Sequence, residues 1–154
     1  MKVKLLAMDV DGTLTDGRIY MGNGGEAMKA FDVKDGYGIV RFRQEGGIPV
    51  IITGRSSRIV QQRCADLGIT ELHQGVKDKL TVLREIAARY EIAMEEVAYI
   101  GDDENDVDCL QAAGCSACPA DAMADAMAAA DMVCRHDGGR GAVREFIDRL
   151  LNEP

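Results

Sequence analysis

Positive charge is scarce in this chain. Its 154 residues hold 18 lysines and arginines against 26 aspartates and glutamates, a net charge of -8 with histidine neutral. So acidic a protein is a poor default partner for nucleic acid or an anionic membrane surface. An anionic substrate would need local positive charge or a metal. Long apolar runs are missing too: none approaches the ~20 residues that span a bilayer. The start, "MKVKLLAMDVDG", breaks at Asp9 and lacks a small-residue cleavage site, so it does not read as a signal peptide. Histidine is reduced to two isolated residues, His73 and His136, and "CSAC" (115–118) has no second CxxC pair. A structural zinc site needs four ligands. Cys115 and Cys118 are therefore expected as buried thiols on opposite sides of a strand. Five cysteines, an odd number scattered through apolar segments, point to reduced thiols in a cytoplasmic protein rather than to a disulfide framework. "GGRG" lacks the spacing of a P-loop or a dinucleotide fingerprint.

What the chain does have is 47% hydrophobic residues at a length that suits one globular domain. A domain of this size buries roughly 68–70% of its unfolded surface. Segments 3–10, 48–54 and 96–103 read as buried strands, near-continuous in apolar residues as parallel strands are. Segments 71–75, 115–119 and 131–135 are shorter strand candidates. Helical stripes lie between them: Val60, Cys64 and Leu67, closed by Gly68; Leu80, Leu83, Ala87 and Tyr90; Val143, Phe146, Ile147 and Leu150. This alternation predicts an α/β fold, a doubly wound, mostly parallel, Rossmann-like sheet with helices on both faces. Residues 17–36 break the alternation with two extended arms around "GNGG", a hairpin signal. Directly after the first strand, it could be a surface hairpin, a lid or a subunit contact. "ADAMADAM" (120–127) reads as an amphipathic helix with Met123 and Met127 on its packed face.

Carboxylates carry the chemical signal. Asp9 and Asp11, two residues apart, end the first strand in "DVDGT". Residues i and i+2 of a strand point to one side, and close acids repel. A cation would resolve this, as would a division of labour between an ionised and a protonated carboxyl. A calcium loop does not fit: it needs aspartate or asparagine at position 5, glycine at 6 and glutamate at 12, whereas counting from Asp9 the glycine, Gly12, stands fourth, Thr13 fifth and Tyr20 twelfth. A second cluster, Asp102, Asp103 and Asp106, ends another strand. Acids here favour a helix N-terminus. Asp102 with Asp9 would also suit Mg²⁺, which takes one or two carboxylates plus phosphate and water. Thr53, Gly54 and Arg55 follow an apolar strand, where a hydroxyl and amides can hold a phosphate oxygen. Lys79 opens a helix.

"DVDGT" (9–13), "TGR" (53–55), Lys79 and "GDDENDV" (101–107) resemble, in order and spacing, the four motifs of the haloacid dehalogenase superfamily. The length leaves no room for an inserted cap, so the chain resembles the capless branch that dephosphorylates 3-deoxy-2-ulosonic acid phosphates. The resemblance implies one domain over residues 1–154, three-layered, with a β-hairpin after the first strand. It implies Asp9 as nucleophile forming an aspartyl-phosphate and Asp11 as general acid, then base. Mg²⁺ would sit on Asp9, the backbone carbonyl of Asp11 and Asp102, with Asp103 and Asp106 in support. Thr53 and Lys79 would hold phosphoryl oxygens. Arg55 and, from the tail, Arg140 would meet the sugar, since arginine pairs bidentately with carboxylates. A homotetramer built on the hairpin would close the site. Arg55 favours an eight-carbon ulosonate, because siblings acting on nine-carbon 9-phosphates tend to carry glutamate after "TG". Glu104 and Asn105, where an apolar pair is frequent, lean the other way, and Thr13 stands where valine is frequent. A phospho-receiver would carry its acidic pair early and its acceptor mid-chain, the reverse of this order. A non-catalytic assembly module would not need the intact acidic set.

Overall fold

The computed structural model describes residues 2–153. In chain order its strands are β1 (Leu5–Met8), β2 (Tyr20–Gly22), β3 (Gly25–Met28), β4 (Ile48–Ile52), β5 (Glu71–His73), β6 (Val97–Ile100), β7 (Cys115–Cys118) and β8 (Met132–Val133). The helices are α1 (Val33–Gln44), α2 (Arg58–Leu67), α3 (Lys79–Arg89), α4 (Val107–Ala112), α5 (Ala124–Ala129) and α6 (Ala142–Asn152). Six strands form one sheet in the order β5-β4-β1-β6-β7-β8, every pairing parallel. β2 and β3 form a separate antiparallel hairpin.

Strand β1 is fully buried and central, which explains its unbroken apolar sequence. Leu6 and Met8 face a cluster with Ile39, Phe42, Val60, Leu67, Phe146 and Ile147, from α1, α2 and α6. Leu5 and Ala7 face Leu83, Ile86, Cys109 and Ala126, from α3, α4 and α5. Two such layers around a sheet are the expected three-layer α/β architecture, with no cap among the described residues. From β1 the chain winds outward through β4 and β5, then returns across the sheet to β6, β7 and β8. The reversal falls between β1 and β6, and open α/β sheets bind ligands outside the carboxyl ends of strands at such a switch point.

Local chemistry sets the helix ends near that edge. Ser57 caps α2 through Val60 N, and Gly68 ends it in the left-handed conformation (φ 70°). Asp78 caps α3 through Thr81 N, making Lys79 its first residue. Cys118 is buried in one layer while half-buried Cys115 packs against the other, as the strand alternation requires. No helix of the described residues is long and apolar enough to cross a membrane.

Three expectations need correction. The hairpin arms stop at Tyr20 and Met28, and α1 begins within the span read as extended. Two glycines in α1, Gly36 and Gly38, cost ~1 kcal/mol each in helix propensity, but burying Ile39 and Phe42 contributes ~1.5–3 kcal/mol each. On α3, Ile86 is buried beside Leu83 and Ala87, whereas Tyr90 is 39% exposed and turns its hydroxyl to Glu71. The helix in "ADAMADAM" starts only at Ala124. Met123, just before it, is 58% exposed, whereas within the helix Ala126 is buried and Met127 packs partly buried against the same layer.

Candidate active site

β4, β1 and β6 lie side by side and end at one edge, delivering Thr53, Asp9 and Asp102 there. The Asp9 amide donates to the Ile100 carbonyl at 3.1 Å, so the loop leaving β1 is still held to β6. Lys79 arrives from the start of α3. Only 2% exposed, its ammonium donates to Asp9 Oδ1 at 3.0 Å and to Asp106 Oδ1 at 2.9 Å. One lysine thus joins the earliest and latest acidic motifs.

Asp106 is fully buried and fully engaged. Its Oδ1 also accepts from the Tyr99 hydroxyl, and its Oδ2 accepts the amides of Asp102 (3.0 Å) and Asp103 (3.2 Å). It is an anchor for Lys79 and for the Asp102 loop. Exposed Asp103 accepts from the Glu104 amide and caps the following turn. Asp102 accepts from the Thr13 hydroxyl at 3.1 Å, tying the "GDD" loop to "DVDGT". Gly12 permits this approach: it has φ +90°, and a Cβ there would lie 2.0 Å from Asp102 Oδ2.

Crowding of acids shows in their protonation. Burial, then the charge of Asp106, holds the Asp9 carboxyl well above its ordinary value, offset in part by Lys79. Burial raises Asp102 as well. Lys79 is raised despite its burial, because Asp9 and Asp106 outweigh desolvation. Asp9, Asp102 and Asp106 each place an oxygen within 4.8 Å of the others. With Asp106 committed to Lys79, Tyr99 and two amides, Asp9 and Asp102 are the pair available to a cation. An all-oxygen donor set of this kind suits a hard divalent ion.

The remaining predicted residues are distributed around this cluster. Thr53 is buried, its backbone pinned by bonds to His73 O and from Val76 N, and its hydroxyl has no partner among the described residues. Gly54 and Arg55 are exposed beyond it. Arg140 is also exposed, with no side-chain partner among the described residues. Its loop is seated on the first motif, since Gly139 N donates to Thr13 O at 3.0 Å. A Cβ on Gly138 would fall 1.9 Å from the Gly12 carbonyl oxygen. Asp11 lies just outside the cluster, paired through Oδ1 with Lys29 at 2.5 Å. Lys29, Glu26 and Ser57 were not foreseen. A lysine and a glutamate three apart in a hairpin carry no motif, and only their closeness to "DVDGT" in space distinguishes them.

A family description of haloacid dehalogenase-like hydrolases matches residues 68–147, just over half the chain. The chain belongs to the haloacid dehalogenase-like hydrolases. Within that class the 3-deoxy-D-manno-octulosonate 8-phosphate phosphatase KdsC of Escherichia coli K12 is 51% identical over 150 residues, 97% of this chain and 79% of the relative. The solved phosphatase of that name from Yersinia pestis superposes with a TM-score of 0.95 at 46% identity, covering 97% of this chain and 81% of that one. The one from Moraxella catarrhalis, in complex with magnesium, phosphate and KDO, gives 0.95 at 41% identity over 97% of this chain and 86% of that one.

Proposed function

We propose that this chain is a Mg²⁺-dependent phosphatase that hydrolyses 3-deoxy-D-manno-octulosonate 8-phosphate to the free ulosonate and phosphate. The observation that carries the reading is the convergence of Asp9, Lys79 and Asp102 at one sheet edge, joined to 51% identity with KdsC over 97% of the chain.

In this reading Asp9 attacks phosphorus, and the bond from phosphorus to the sugar oxygen breaks. Asp11 gives its proton to the departing alkoxide. A water then attacks the aspartyl-phosphate and loses a proton to Asp11, which frees Asp9 and releases phosphate. Lys79 and Thr53 bind phosphoryl oxygens, and Lys79 also fixes the Asp9 carboxylate at 3.0 Å. Asp9, the Asp11 carbonyl and Asp102 would hold Mg²⁺, which offsets repulsion between an anionic nucleophile and an anionic substrate. Arg55 and Arg140 would recognise the sugar carboxylate, with Gly54 leaving room for the phosphate. The acidic surface is no obstacle, since the positive charge needed is local.

We further propose one domain over residues 1–154, a cytoplasmic location and a homotetramer. All five cysteines are free, which suits a reducing compartment. Tyr20 (38% exposed), Met21 (66%) and Met28 (52%) leave an apolar hairpin surface suited to a second copy. Sedimentation equilibrium tests the assembly.

The functional test is phosphate release from eight-carbon and nine-carbon ulosonate phosphates side by side. Preference for the eight-carbon substrate, abolished by excess EDTA, is the expected result. A preference for the nine-carbon 9-phosphate would move the assignment to that sibling activity.

A further inference from the structure

The hairpin of β2 and β3 shares no strand pairing with the main sheet, yet it is tied to the site by charge. The Lys29 side chain, just past β3, is completely enclosed. Its ammonium lies 2.5 Å from Asp11 Oδ1 and 3.2 Å from Glu26 Oε2. The second contact is a pairing of charges off the hydrogen-bonding direction, since Oε2 itself has no hydrogen-bond partner. Glu26 in turn accepts from the Ser57 hydroxyl at the cap of α2 and lies 3.6 Å from Arg55 Nη2. Burial would raise the Glu26 carboxyl, but Ser57, Lys29 and Arg55 outweigh it and hold it below its ordinary value. A relay of four charges, Asp11, Lys29, Glu26 and Arg55, therefore links the two loops that flank the nucleophile.

Enclosing a lysine is unfavourable unless its charge is paired. A surface hairpin does not require one, and the partner it takes is the carboxylate assigned to proton transfer. We propose that Lys29 and Glu26 are positioning residues for the phosphatase reaction. Lys29 holds Asp11 Oδ1 in place, leaving Oδ2 to carry the proton that passes to the leaving oxygen and later to take one from water, and Glu26 fixes Lys29 and Arg55 relative to each other. This rests on Asp11 being the general acid.

The test compares Lys29→Met, Lys29→Arg and Glu26→Gln with the wild type on two substrates. The sugar phosphate leaves as an alkoxide that needs a proton. p-Nitrophenyl phosphate leaves as a stable phenolate that does not. The readout is kcat/KM, which reports steps through cleavage of the phosphorus–oxygen bond and not the later hydrolysis. Lys29→Met is expected to lose roughly 10²-fold on the sugar phosphate, the scale of a general acid's contribution, with a much smaller loss on the aryl phosphate. Lys29→Arg should restore part of the selectivity, and Glu26→Gln should shift it in the same direction by less. Parallel losses on both substrates, or no loss on the sugar phosphate, would overturn the proposal. Should Lys29→Met melt early, Glu26→Gln decides alone by the same ratio. A wild type that turns over neither substrate with Mg²⁺ would instead remove the phosphatase reading beneath it.

Discussion

Asp35 offers a test of how α1 and α6 are joined. It sits in the first turn of α1, 1% exposed, and its Oδ1 accepts the Arg144 amide at 2.9 Å, while Oδ2 has no partner. Burial raises its carboxyl from 3.8 to about 6, against the bonds from α6 that favour the charge. An acid whose value is raised on folding binds more protons in the folded state between the two values. Stability is therefore full below pH ~4, falls as pH rises to ~6 and stays reduced above it. A shift of about two units at 1.36 kcal/mol each corresponds to roughly 3 kcal/mol. Asp35→Asn keeps an acceptor for Arg144 and removes the charge. Urea unfolding of both proteins from pH 4 to 8 isolates the effect, because the other titrating groups cancel in the difference. Relative to wild type, the variant should gain up to ~3 kcal/mol on going from pH 4 to pH 7.5. A difference that does not change with pH would refute the argument.

Lys79→Met should destabilise the fold by roughly 3–5 kcal/mol in urea unfolding, the cost of leaving a buried carboxylate such as Asp106 without its partner, and should also abolish turnover. Gly12→Ala should raise the Mg²⁺ concentration needed for half-maximal rate, because its Cβ would displace the Asp102 carboxylate it meets at 2.0 Å. An unchanged Mg²⁺ titration in a folded Gly12→Ala protein would count against Asp102 as a ligand.

The parts legible in the sequence share a physical cause. β1, β4 and β6 are buried on both faces, so apolar runs ending in aspartate or threonine revealed both the strands and the site edge. Lys79 was legible because a lysine directly after the capping Asp78 must enter at the helix start. Helix α1 was hidden by its glycines, whose cost is offset only by tertiary packing on Ile39 and Phe42. Asp106 was read as a helper of the metal site, but its role as the anchor of Lys79 depends on Tyr99 and Lys79 arriving from other elements. The Lys29 contact to Asp11 spans a hairpin, and nothing in local patterning encodes it.

The most direct test of the account is to trap the covalent intermediate. The protein is mixed with substrate and Mg²⁺, quenched, reduced with borohydride and mapped by mass spectrometry. Reduction of an acyl phosphate at residue 9 to homoserine, absent from Asp9→Asn, is the predicted result. An active enzyme that shows no acyl phosphate, or carries it on another residue, would contradict it.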